Sequence, residues 1–146
     1  MKPRYGLFLL SLLLTGCATS QLAPNTPSLI HFSDGICQES QSGRMWQEEA
    51  GPAVSSWNEA EYQATRLNLG GYSDWRLPTK DELYSLLVLC DLNRQENCPK
   101  GLLTGHWLGR SPEEGEAGYW ESYPLCGGVD YRFVHKQEGV VRAVRP

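Results

Sequence analysis

The sequence predicts an α+β domain, with two helices packed on a short antiparallel sheet. Three observations carry that prediction. β-type runs open the chain, two capped amphipathic helices follow one another in the middle, and further β-type runs close it. Segregating strands from helices in this way argues against alternating βαβ units and a parallel sheet.

The first stretch, MKPRYGLFLLSLLLTGCATS, stands outside the fold. Lys2 and Arg4 make a basic start, and the apolar run Leu7 to Leu14 suits a secretory signal and is short for a membrane span. It ends in Leu14-Thr15-Gly16-Cys17, which resembles the lipobox of bacterial lipoproteins. That resemblance implies removal of residues 1–16, lipidation of Cys17 and a membrane partner held through acyl chains. Ala18 in the next position fits transfer to the outer membrane. Two or three chains anchor stably, each buried methylene contributing ~0.8 kcal/mol. Residues 17–28 hold two prolines and no apolar period, so they read as a lipidated tether to a folded domain at 29–146.

Loss of Lys2 and Arg4 shifts the net charge from −4 to −6. A mildly acidic domain of this length forms one compact unit and lacks the basic footprint that nucleic-acid binding needs.

LIHF (29–32) and GRMWQ (43–47) are the early strand candidates, the second carrying Trp46 after the turn-like QSG. A helix then starts at Trp57. Ser56 can cap the backbone while Glu59 reaches back, and Trp57, Ala60, Ala64 and Leu67 form one apolar stripe. Gly70 and Gly71 supply the expected stop.

The stretch GGYSDWRLPTKDEL (70–83) reads as a structural corner. Asp74 is expected to accept backbone N–H groups in the turn, and Trp75 and Leu77 to face inward, alternating with Arg76. Pro78 keeps Leu77 out of helical geometry, and Thr79 with Glu82 repeats the capping box. Leu83, Leu86, Leu87 and Cys90 put one buried face on a second helix, Lys80 to Cys90. Late in the chain, YWESY (119–123), YRFVH (131–135) and VVRAV (140–144) are strand candidates, with KQEG linking the last two as a hairpin.

Besides Cys17 the chain carries Cys37, Cys90, Cys98 and Cys126, and export places them in an oxidising compartment. Three connectivities are open. The short polar loop CDLNRQENC favours Cys90–Cys98, which leaves Cys37–Cys126 by elimination. No CxxC pair or cysteine–histidine cluster points to a metal, and no cofactor is expected.

Residues 100–118 form a long glycine-rich segment with little periodic structure, the expected recognition surface. Within it His106, Trp107 and Arg110 combine a flat ring with hydrogen-bond donors suited to stacking on a sugar or a peptide side chain. Trp107 can equally plug the core beneath the loop. Arg132, Lys136, Arg142 and Arg145 are candidates for a basic strip opposite the acidic PEEGE (112–116).

Taken together, Ser42 to Gln47, Trp57 with Ala60, Leu69 to Leu83, Tyr119-Trp120-Glu121-Ser122 and Val141 to Arg145 resemble the DUF1566 family. That family is also named for the C-terminal domain of the Legionella collagen-like adhesin, Lcl. The resemblance runs from about residue 37 to the end. It implies a fold similar to C-type lectin domains and to the formylglycine-generating enzymes: two helices, a sheet joining the chain ends, and an irregular loop region that carries the ligand site.

The enzymatic relatives need a close pair of redox-active cysteines near the C-terminus to hold copper, and this chain has only Cys126 there. Nor does it contain a nucleophile elbow, HExxH or a phosphate-binding glycine loop. The sequence therefore reads as a non-catalytic, lipid-anchored module that binds a glycan, peptidoglycan or an envelope protein. The alternatives are a structural subunit of an envelope assembly and a thiol- or copper-dependent oxidase.

Overall fold

A computed structural model describes residues 26–93, 98–109 and 111–146. The expected signal segment, Cys17, most of the tether and Arg110 lie outside the described residues. In chain order the elements are β1 (Leu29–His31), β2 (Ile36–Glu39), β3 (Met45–Gln47), β4 (Ala53–Val54), α1 (Trp57–Arg66) and α2 (Lys80–Leu92). They continue with β5 (His106–Leu108), β6 (Glu116–Leu125), β7 (Gly128–Lys136), β8 (Gly139–Val140) and β9 (Val144–Arg145). The α+β class holds.

Two sheets result. The first, in order β1-β2-β3-β9, is antiparallel throughout and joins the start of the domain to its end, as Trp46 pairs with Val144. The second runs β4-β8-β5-β6-β7, with one parallel contact between β5 and β8. Its dominant unit is the β6–β7 hairpin, nine cross-strand pairs from Ala117↔Lys136 to Leu125↔Gly128.

Both helices start at the expected caps, but the reciprocal box forms only at α2; at α1 only the Ser56 half is made. Ser56 accepts from the Glu59 N–H, and Thr79 with Glu82 closes a full capping box. Buried Ala60 and Ala64 let α1 lie close to the core, while α2 buries Leu83, Leu86, Leu87, Leu89 and Cys90 and runs to Leu92. The expected glycine stop of α1 is not what ends it. Leu67 leaves the helix in extended geometry, its N–H bonded to Ala64 C=O. Gly70 and Gly71, at φ +62° and +79°, instead build the turn that bridges Leu69 and Tyr72. Gly70 is obligatory there: a Cβ would stand 2.2 Å from Ile36 Cδ1.

Three other expectations are corrected. The hairpin through KQEG does not form, because β7 takes β6 as its partner across the Cys126-Gly127 turn and β8 goes to β4 and β5. Residues 141–143 leave the strand as Arg142 turns into the interior. The segment 100–118 is not wholly irregular: all three residues of β5 are buried, and β6 begins at Glu116.

The Cys90–Cys98 disulfide is formed, but Cys37–Cys126 is not. Cys37 is a core residue opposite Trp46, whereas Cys126 sits in the exposed hairpin turn. Burial, with the negative charge of Glu48 adding to it, pushes the Cys37 thiol up to about 12, so it behaves as a small apolar group.

Candidate functional site

The RLPTKDE corner proves to be a clamp. Arg76 donates from both terminal nitrogens to the Glu82 carboxylate at 2.7 Å each, and the Thr79 N–H donates to the same group at 2.9 Å. Burial would raise the Glu82 pKa, but these bonds and the charges of Arg76 and Arg44 outweigh it and hold the carboxyl at about 2. Trp75 lies in the core with its indole N–H shared between the Leu69 and Tyr72 carbonyls, and Pro78 is fully buried. Asp74 does not serve mainly as a turn acceptor. It takes two bonds from Arg145, at 2.6 and 3.0 Å, tying the turn to the last strand. The remaining motif tryptophans are pinned likewise: Trp46 donates to Glu39 and Trp57 to Leu108 C=O.

His106 and Trp107 do not present a ligand surface. Trp107 is 7% exposed and donates its indole N–H to Val54 C=O at 2.9 Å, so it plugs the core. His106 is fully buried and accepts from Arg142 Nε at 3.1 Å, which places its own proton on Nδ1. Burial, reinforced by the Arg142 charge, pushes the His106 pKa down to about 3. The same arginine donates to the carbonyls of Gln47, Glu48 and Lys100, stitching β3, β5 and the C-terminal segment together. Its burial also dissolves the expected basic strip: Arg132 pairs with Glu121, Arg145 with Asp74, and Lys136 lies over the Tyr119 ring.

A different surface gathers groups suited to recognition. Along β6 and β7 the residues Trp120 and Ser122 stand opposite Phe133 and Tyr131, with Gly118 opposite His135, all on one face. Over that face lies α2, whose Lys80 and Tyr84 are one helical turn apart. The Trp120 indole donates to Lys80 C=O at 3.0 Å, fixing hairpin and helix together. Tyr84 lies 4.8 Å from Trp120 and 5.2 Å from Tyr131 between ring centroids, and Phe133 lies 5.5 Å from Trp120 and 5.0 Å from His135. Gly118 makes room for this ladder, since a Cβ there would meet Phe133 Cζ at 2.5 Å.

Charge borders the rings. Lys80 Nζ sits 3.9 Å from the Phe133 centroid and 3.4 Å from the Glu116 carboxylate, whose other oxygen is 3.3 Å from His135 Nδ1. Tyr84, Trp120, Tyr131 and Phe133 all remain partly exposed. Tyr84 also lines a cavity of about 290 Å³ between α2 and residues 40–42. Such a surface can stack flat apolar faces while an amine, a carboxylate and an imidazole meet polar groups at the edge. Among the described residues no three His, Cys, Asp or Glu side chains converge to hold a metal ion.

Nothing in the sequence alone says that Trp120 and Phe133 are neighbours, because the hairpin register decides it. The period-two run Tyr131, Phe133, His135 is the one signal that could have found this face. Lys80 and Tyr84 escape notice because a capped helix hides them among ordinary solvent-side residues.

A family model described as the Lcl C-terminal domain matches residues 35–145. No curated protein and no solved structure matches the chain.

Proposed function

Because the chain belongs to the Lcl C-terminal domain family, we propose that it is a non-catalytic, adhesin-like module that binds a glycan on the aromatic face of the β6–β7 hairpin. Lipidation at Cys17 holds it on the outer membrane through the tether that follows. One observation carries the reading: Tyr84, Trp120, Tyr131 and Phe133 form a continuous, partly exposed ring surface bordered by Lys80, Glu116 and His135. The rings meet at interplanar angles of 56° to 89°, so the C–H face of a pyranose stacks on one ring while the edges of its neighbours flank it and its hydroxyls reach the charged rim. The side chains are already held in place by Trp120 N–H to Lys80 C=O and by the Lys80–Glu116 pair, so little order is lost on binding.

A glycan array probed with the wild-type protein and with Trp120→Ala tests this. The expected result is a defined set of glycans whose signal falls at least about tenfold in a variant that still melts cooperatively. A blank array, with an envelope protein captured equally by both forms from solubilised membranes, would favour a structural subunit instead.

A further inference from the structure

The long outer strand of the second sheet offers a further interaction. Among the described residues β7 pairs only with β6, so one side of a nine-residue strand has no strand partner. The other sheet margins are two or three residues long. Native proteins seldom leave a long edge unguarded, since its open N–H and C=O groups template pairing with another strand.

The register shows which groups point outward. The hairpin closes at Leu125↔Gly128 over a two-residue connection, and such a closing pair exchanges hydrogen bonds. Alternation then directs the amides of 128, 130, 132, 134 and 136 to β6, and those of 129, 131, 133 and 135 to the open side. The Tyr131 N–H agrees: it is met at 2.9 Å by the Asp130 carboxylate, not by β6.

Charges along this edge select a partner. In antiparallel self-pairing centred on residue 130 or 132, Asp130 would face Asp130, or Arg132 would face Arg132, of the other copy. Centring on Tyr131 sets Asp130 against Arg132 twice, in the closer, non-hydrogen-bonded positions about 4.5 Å apart between Cα atoms. Val129 then faces Phe133, and Tyr131 faces its equivalent. Both charged side chains are exposed. Arg132 would bridge its own Glu121 and the partner's carboxylate. Asp130, now accepting from Tyr123 Oη and the Tyr131 N–H, would give up that N–H to the partner strand.

We propose that β7 pairs antiparallel with β7 of a second copy of this chain, centred on Tyr131, with two reciprocal Asp130–Arg132 contacts fixing the register. The two-fold axis stands perpendicular to the sheet, so both aromatic faces lie on the same side of one ten-stranded sheet. Each α2 packs over its own β6, and three strand spacings of about 4.8 Å keep the two helices clear of one another.

Sedimentation of the full chain in detergent, across a concentration series and without glycan, tests the proposal. Three proteins are compared: wild type, Asp130→Arg and the exchanged pair Asp130→Arg with Arg132→Asp. Expected are a concentration-dependent dimer for wild type, a dimer Kd at least about tenfold higher for the single variant, and recovery in the exchanged pair. Val129→Pro removes an outward N–H without touching a β6 bond and should also give monomers; it serves if Asp130→Arg fails to fold. A monomeric wild type, or a dimer indifferent to Val129→Pro and to the charge changes, overturns the proposal.

Discussion

Replacing Glu82 by glutamine should make the corner measurably weaker, and the size follows from its surroundings. The carboxyl's ordinary value is 4.5, and in the folded protein it is held at about 2 despite burial, mainly by Arg76 and the Thr79 N–H. Because the folded value is depressed, the contribution is complete above pH 4.5 and is lost as pH falls through about 2. Each unit is 1.36 kcal/mol, so the clamp contributes about 3 kcal/mol, and the side chain is only 14% exposed, which limits screening. For a domain of this size that is roughly 10 °C in Tm. The assay is denaturant unfolding of wild type and Glu82→Gln between pH 2 and 7. The expected gap is constant above pH 5 and closes towards pH 2. A variant within about 0.5 kcal/mol of wild type at neutral pH, or a gap that does not depend on pH, would refute the reasoning.

Four further outcomes can be checked. Trp107→Ala should cost about 3–5 kcal/mol in denaturant unfolding, since it empties a core site and orphans Val54 C=O. His106, depressed from 6.5 to about 3, makes the unfolded state take up a proton first as pH drops, so stability should be lost from about pH 6.5 downwards; His106→Gln should flatten that slope by up to one proton. Thiol labelling of native protein should reach Cys126, and Cys37 only after unfolding. Replacing Cys90 and Cys98 by serine should lower stability by about 2–3 kcal/mol, as for a short closed loop, in the same unfolding assay.

Much of the frame was legible because local chemistry dictates it. Ser56 and Thr79 announce helix starts through backbone groups that must be capped within three residues, and both do so. Trp75 and Leu77 turn inward as their pattern suggested. What failed depended on distant partners. Asp74 finds Arg145 seventy-one residues away, and no local rule weighs that against a turn N–H. Arg142 looked like a surface cation, but four acceptors supplied by three separate segments make its burial tolerable. His106 suited a ligand surface because its polar tip can donate, yet that tip satisfies Arg142 inside. For Trp107 a ligand ring and a core plug were equally open from the sequence, and its bond to Val54 C=O decides for the core. The aromatic face stayed hidden for a related reason: it exists only once β6 and β7 pair in one register and α2 is laid across them.

The central claim is that ligands meet the hairpin's aromatic face. The tryptophan indole N–H signals, followed by NMR while a glycan selected from the array is titrated in, test it most directly. Trp120 should shift with saturation, while the buried indoles of Trp46, Trp75 and Trp107 stay in place. Saturable shifts at Trp107 and along residues 100–109 with Trp120 unmoved would contradict the account.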